Sequence, residues 1–336
     1  MEFFGFTLFG SLAGGGLMAV AAGLFIVGLV LIIKGGDWFV DSAAWFAEAT
    51  GIPKFVVGAT VVSFATTLPE LLVSVRAAMN GSAQLAIGNA IGSVTANTTL
   101  IMGVSLVAMA GVISRKTIAI RGGLLLASVI GLTLLSLSGS LPVWSAAILW
   151  AIFITFMVVN LLDGKKSAGN EEKLEYDKKE IPSRILWFVI GTASIVFGAE
   201  FLVSSAKTLA AGIGISETII GFTVIALGTS LPELVTTLTA IRKKENSLSV
   251  GNIIGANIID ATLILPLCSV IGGKALPVER VNLIFDFPVC IAAAAIAVVP
   301  TIILGKFKKW QGYALLGVYG VYMLLLILNE TVGIFG

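Results

Sequence analysis

The passage Thr66-Thr67-Leu68-Pro69-Glu70 returns 163 residues later, almost unchanged, as Thr229-Ser230-Leu231-Pro232-Glu233. Each copy lies inside a hydrophobic segment long enough to cross a bilayer, and this narrows the available folds more than any other feature. An ionised carboxylate near the bilayer centre costs roughly 2.5–3.5 kcal/mol on insertion scales. Here two occupy matching points, each directly after a helix-interrupting proline. The same offset pairs Gly51 with Gly214, Gly58 with Gly221, Thr60 with Thr223, Gly88-Asn89 with Gly251-Asn252, and Gly92 with Gly255. It also reaches Gly35 and Gly198, and Asp37 and Glu200. The chain reads as a duplication built around an acidic residue in lipid.

Of the 336 residues, 57% are hydrophobic and 12% are charged, against about 25% charged in a soluble domain. The chain is therefore an integral membrane protein whose solvent is the lipid bilayer. A net charge of +2, with no basic cluster interleaved with aromatics, gives no reason to expect a nucleic-acid partner. The sequence has no histidine, which excludes imidazole proton relays, histidine metal ligands and Ser–His nucleophilic pairs. Cys268 and Cys290 each sit in an apolar run without metal-like spacing and are expected to be buried free thiols. Residues 1–16 lack a basic stretch, so no cleavable signal is expected.

At about 20 apolar residues per crossing, the spacing predicts an all-α polytopic membrane protein with ten helices. They run near 17–47, 53–80, 82–112, 117–138, 141–162, 184–211, 215–242, 247–273, 283–304 and 308–329. The polar segment 163–183 separates a first half, 1–162 with repeat core 51–110, from a second half, 184–336 with repeat core 214–273. Sixteen basic residues fall in the loops on the linker's side, among them Lys54, Arg115, Lys116, Arg121, Lys165, Lys166, Arg242, Lys243 and Lys244. Only Arg76, Lys207, Lys274 and Arg280 fall on the opposite side. This bias places the linker in the cytoplasm and both termini outside. Five helices per half is an odd number, so the halves enter the membrane in opposite directions. Secondary transporters share this inverted duplication, with sites where the repeats meet at the midplane.

The residue types suit a cation. Proline at 69 and 232 removes a backbone donor and disfavours helix in the preceding residue, which frees carbonyl oxygens that must be satisfied or line a wet cavity. Hydroxyls at Thr66, Thr67, Thr229 and Ser230 add neutral oxygens within a turn of Glu70 and Glu233. Hard cations take such sets, Ca²⁺ preferring six to eight oxygens at about 2.3–2.6 Å. A second polar stretch follows in each half: Ser93 and Asn97 share a helix face, and Asp260 occupies the place of Asn97. No intramembrane Lys or Arg obviously neutralises Glu70, Glu233 and Asp260. The competing structural reading is a capping box, Thr67-x-x-Glu70 and Ser230-x-x-Glu233, with proline early in a helix. It leaves unexplained why an ionisable group was chosen over glutamine. Interhelical hydrogen bonding is the alternative for Ser93 and Asn97, packing is the reading for the paired glycines, and Asp37, Glu200 and Asp286 are expected at the membrane interface.

In these motifs the chain resembles the cation/Ca²⁺ exchanger superfamily, of the Na⁺/Ca²⁺ exchanger type. The resemblance spans residues 51–110 and 214–273 and the ten-helix layout. It implies that Glu70 and Glu233 coordinate Ca²⁺, with backbone carbonyls of Thr66 and Thr229. It further implies that Na⁺ uses the same glutamates, the hydroxyls of Thr67, Ser230 and Ser93, and the carbonyls of Ser63 and Ala226, while Asn97 and Asp260 complete the cluster. The first and sixth helices would then be the moving pair. Two departures stand out. Ala256 replaces the serine that would match Ser93, removing an oxygen from one peripheral Na⁺ site. Val94-Thr95 stands where an asparagine-hydrophobic pair survives as Asn257-Ile258. The glutamate-bearing second motif of proton-coupled relatives is missing. The expectation is an inner (plasma) membrane antiporter moving Ca²⁺ against Na⁺, not an enzyme, with no cofactor and no obligatory protein partner. The alternatives are a H⁺/Ca²⁺ or other divalent-cation antiporter and, from another class, a cation channel.

Overall fold

Helices dominate the computed structural model, which describes residues 2–3, 6–7, 14–108, 115–168, 178–213 and 228–332. In chain order these are α1 (Gly14–Thr50), α2 (Lys54–Thr66), α3 (Leu68–Met79), α4 (Ala83–Ala108), α5 (Arg115–Ser136), α6 (Ser145–Ala168), α7 (Ile181–Gly212), α8 (Leu231–Arg242), α9 (Asn246–Gly272), α10 (Asn282–Leu304) and α11 (Lys309–Val332). Eight are long and apolar enough to span a bilayer, and α2 with α3, bent by 45° at the break, passes the same test as a pair, as a broken span or a re-entrant loop would. The remaining expected span, 215–242, begins outside the described residues and ends as α8. Two-residue strands Ser140–Leu141 and Leu276–Pro277 pair antiparallel and tie the α5–α6 loop to the α9–α10 loop.

The offset seen in sequence recurs in the elements. Shifting α3 by 163 residues reproduces the bounds of α8. The same shift carries the helical turns Ala83–Ala96 onto Asn246–Ile259 and the π-helical turn Asn97–Ile101 onto Asp260–Ile264. Equivalent stretches therefore fold alike, down to a rare distortion.

Two kinds of packing build the molecule. In the centre, α4 and α9 have 78% and 83% of their most apolar windows buried. Close approach comes from small residues, as expected where lipid supplies no hydrophobic drive between helices. A Cβ on Gly251 would run into the carbonyl of Phe55, and one on Gly58 into that of Leu248. At the periphery, α1 and α7 lie against each other antiparallel. A Cβ at Gly28 would lie 2.9 Å from the Gly198 carbonyl, and one at Gly191 2.9 Å from the Gly35 carbonyl. Gly28 and Gly191 are repeat partners, as are Gly35 and Gly198, so each glycine meets the other's counterpart. This reciprocity is what a two-fold relation produces at an interface. With 37 and 32 residues, both helices exceed a core of about 30 Å and must tilt or protrude.

Three expectations need correction. Arg121, counted above among loop charges, is 1% exposed inside α5. Its Nε donates to Asn160 Oδ1 at 2.7 Å, its guanidinium pairs with Asp163 at 2.8 Å, and it lies over the Phe55 ring. Hydrogen-bonded and stacked, it reaches a polar partner from a buried position. Asp286 is likewise buried rather than interfacial, accepting hydrogen bonds from Asn282 Nδ2 at 2.7 Å and Tyr322 Oη at 3.0 Å. The capping boxes do not form: neither Thr67 nor Ser230 makes a side-chain cap. The Thr67 hydroxyl donates backwards to the Ser63 carbonyl at 2.7 Å. That carbonyl also accepts the Thr67 N–H at 3.0 Å, so the hydroxyl closes the last turn of α2 instead of capping the next helix. Cys268 and Cys290 are buried free thiols, as expected.

Candidate cation site

Both helix breaks have the same backbone. Thr67 sits at φ −83°, ψ 3° and Ser230 at φ −84°, ψ 4°, after which Leu-Pro-Glu restarts a helix in each half. Proline within the first turn lacks only a donor that would be orphaned there anyway. The break is therefore inexpensive locally, and it delivers Glu70 and Glu233 at the head of α3 and α8.

Both glutamates are fully buried, as are Asp260 and Asn97. Among the described residues, none of the six carboxylate oxygens has a partner at hydrogen-bonding geometry, and neither does the Asn97 amide at either end. Glu70 lies within Coulombic range of Glu233 and Asp260, and Asp260 within range of Glu233. Among the described residues no Lys or Arg pairs with any of the three. Unpaired buried charge carries a heavy desolvation cost, so the arrangement suits a mobile cation. The acids do not close into a tight three-carboxylate cage.

Neutral polar groups are close by. The Ser93 hydroxyl lies 3.4 Å from that of Thr229, linking the first half to the second. Thr66 Oγ1 donates to Asn252 Oδ1 at 3.2 Å, linking them in the opposite sense. Ser230 is buried, its hydroxyl without a partner among the described residues, while the Ser63 carbonyl accepts from Thr67 and more distantly from Thr66. Ala226 lies outside the described residues. Glu70, Glu233, Asp260, Asn97, Ser63, Thr66, Thr67, Ser93, Thr229 and Ser230 thus belong to one region. Asp37 does not: it pairs with Arg242 and Lys243 at the end of α8.

Sequence reasoning missed two layers of this region. Asn89 Nδ2 donates to the Glu70 carbonyl at 3.2 Å and to Ser74 Oγ at 2.9 Å, holding α3 against α4. Asn257 Nδ2 donates to Thr98 Oγ1 at 2.8 Å. The signal for Asn89 and Asn252 was their repetition at the common offset. The π-helical turns beginning at Asn97 and Asp260 were also unforeseen. Such turns often mark functional sites because one extra residue re-aims the side chains around it. The moving-pair candidates lie alongside: a narrow gap is lined by Phe39 of α1, Thr192 and Ile195 of α7, and Thr66 and Pro232 of the breaks.

The model of the sodium/calcium exchanger protein family matches residues 20–162 and 183–328. An uncharacterised membrane protein of Methanocaldococcus jannaschii is 31% identical over 309 residues, 90% of this chain and 97% of its own. The sodium/calcium exchanger MaX1 of Methanosarcina acetivorans is 28% identical, over 90% of this chain and 97% of its own. A solved structure of the sodium-calcium exchanger NCX_Mj, soaked with 10 mM Na⁺ and zero Ca²⁺, superimposes with a TM-score of 0.81 at 30% identity. It covers 91% of this chain and 99% of that one. With repeated Pro-Glu breaks, buried acids and matches across both halves, the chain belongs to the sodium/calcium exchanger family.

Proposed function

We propose that this protein is a secondary antiporter that exchanges Ca²⁺ for Na⁺ by alternating access at one shared site. The observation that carries the reading is the meeting of Glu70, Glu233 and Asp260 in a buried region with no cationic partner among the described residues. Ca²⁺ binds between Glu70 and Glu233, with carbonyls of Thr66 and Thr229. Na⁺ uses the same glutamates, the hydroxyls of Thr67, Ser230 and Ser93, and the carbonyls of Ser63 and Ala226. Asn97 and Asp260 complete the centre. Because the ions share ligands, they compete, and competition couples their movements. An empty anionic site is costly to carry through a dry transition, so only the loaded, neutralised site lets α1 and α7 slide past the breaks.

The two halves, 1–162 and 184–336, are an inverted repeat joined by a cytoplasmic linker, with both termini outside the inner (plasma) membrane. The antiparallel, reciprocal glycine contacts of α1 and α7 support the inversion. The test reconstitutes the protein in vesicles and measures ⁴⁵Ca²⁺ uptake under an outward Na⁺ gradient, then under a pH gradient alone. Uptake driven by Na⁺ only is the expected result. Uptake driven by the pH gradient alone would replace Na⁺ with H⁺, and uptake needing neither gradient would indicate a channel.

A further inference from the structure

Among the positions where the two repeats differ at the site, two involve a serine hydroxyl facing alanine in the other half. Ser93 corresponds to Ala256, so the second half lacks a hydroxyl on α9. Ser63 corresponds to Ala226, so the first half carries an additional one on α2. We infer that the Ser63 side-chain hydroxyl supplies the oxygen that Ala256 lacks, completing the monovalent-cation subsite formed by Glu233, Thr66 and Thr67. This rests on the exchange reading above and adds a ligand to it, since that reading uses only the Ser63 carbonyl.

The geometry follows from the contacts. Ser93 meets Thr229. Under the 163-residue offset, the matching encounter in the other half joins position 256 to Thr66. Thr66 is bonded to Asn252, one turn before Ala256 on α9. Ser63 lies one turn before Thr66 on the facing helix and is fully buried. Its Oγ presses on α9 beside Ala256: a Cβ added to Gly255 would sit 2.5 Å from it. Glycine at 255 is thus what leaves room for a serine side chain at 63. The Ser63 proton is donated to the Thr60 carbonyl at 3.1 Å, which leaves the oxygen's lone pairs as its unused capacity. A hydroxyl in this state can only accept, as a cation ligand must.

A purely structural serine bonding back along its own helix makes a different forecast, which a double-mutant cycle separates. Na⁺-driven ⁴⁵Ca²⁺ flux is measured for the parent, S63A, A256S and S63A/A256S, each normalised to the amount of monodisperse protein reconstituted in the same vesicles. Alanine already stands at the repeat position 226, so S63A is expected to fold. S63A should raise the Na⁺ concentration for half-maximal flux about fivefold, which is about 1 kcal/mol, and S63A/A256S should return it near the parent value. A256S should help far more in the S63A background than alone. An unchanged Na⁺ midpoint in S63A overturns the inference. So does a failed rescue, or an equal effect of A256S in both backgrounds. Loss of all Na⁺-driven flux in the parent is a separate outcome that sinks the exchange reading itself.

Discussion

The central helices α4 and α9 and the peripheral pair α1 and α7 use the same device, glycine at crossing points, under opposite conditions. The central pair is enclosed by protein. The peripheral pair has only 17% and 22% of its most apolar windows buried, in α1 and α7 respectively. Glycine therefore means different things in the two regions. Around α9 it lets the broken helix α2 lock into place, with backbone against backbone. Between α1 and α7 it makes a smooth seam facing lipid on its other side, and the pair touches the centre along a strip. At one end that strip is reinforced by charge. Asp37 pairs with Arg242 and Lys243, Asp41 with Lys243 at 2.8 Å, and Lys54 bridges Glu48 and Glu245 at 2.7 and 2.8 Å. Partly exposed ion pairs contribute roughly 0–1 kcal/mol each, so they tie the pair to the centre only weakly. On the function proposed above, the centre would hold the ion and the periphery would move.

Six substitutions, in four tests, sharpen or break that contrast, taken from the largest expected effect. Glu70→Gln or Glu233→Gln should abolish Ca²⁺ flux while the protein remains inserted and monodisperse. Normal exchange by either variant would remove the site from the centre. Gly251→Val comes next. It forces a side chain into the Phe55 carbonyl, and overpacking of this kind costs about 1–3 kcal/mol or more. A marked fall in the melting temperature of purified protein is expected, with transport lost in proportion. Gly198→Ala on the peripheral pair should act differently, lowering the turnover rate severalfold while melting temperature falls less than for Gly251→Val. If both variants melted alike, the division into holding and moving regions would fail. The smallest effect belongs to Asp37→Asn with Asp41→Asn. Exchange rate should change by about threefold or less, and the difference should fade in high salt as screening removes the pairs from the parent too. A difference that persists at high ionic strength would show that the carboxylates act through packing.

The local features were readable where one residue's chemistry decides the outcome. Proline is at home in the first turn of a restarted helix, and both restarts lie where the motif put them. The spans followed from apolar length, and observed bounds such as Gly14–Thr50 against 17–47 differ by a few residues at each end. Features set by neighbours were not readable. Arg121 looks like a loop cation until Asn160, Asp163 and Phe55 gather around it. Thr67-x-x-Glu70 satisfies the capping pattern, but the Ser63 carbonyl competes for the hydroxyl and wins. Asp286 gave no hint of Tyr322, 36 residues away.

Sequence alone determined that the protein lives in lipid, that it is duplicated, and that acids follow helix breaks at matched positions. These are consequences of composition, of the offset, and of proline's missing donor. Only the tertiary structure decided that Ser93 meets Thr229 and Thr66 meets Asn252, where π-helical turns begin at Asn97 and Asp260, and that Ser63 fits against Gly255. Such facts depend on the approach of helices far apart in the chain, and ångström-scale contact between them is set by every residue along the crossing at once.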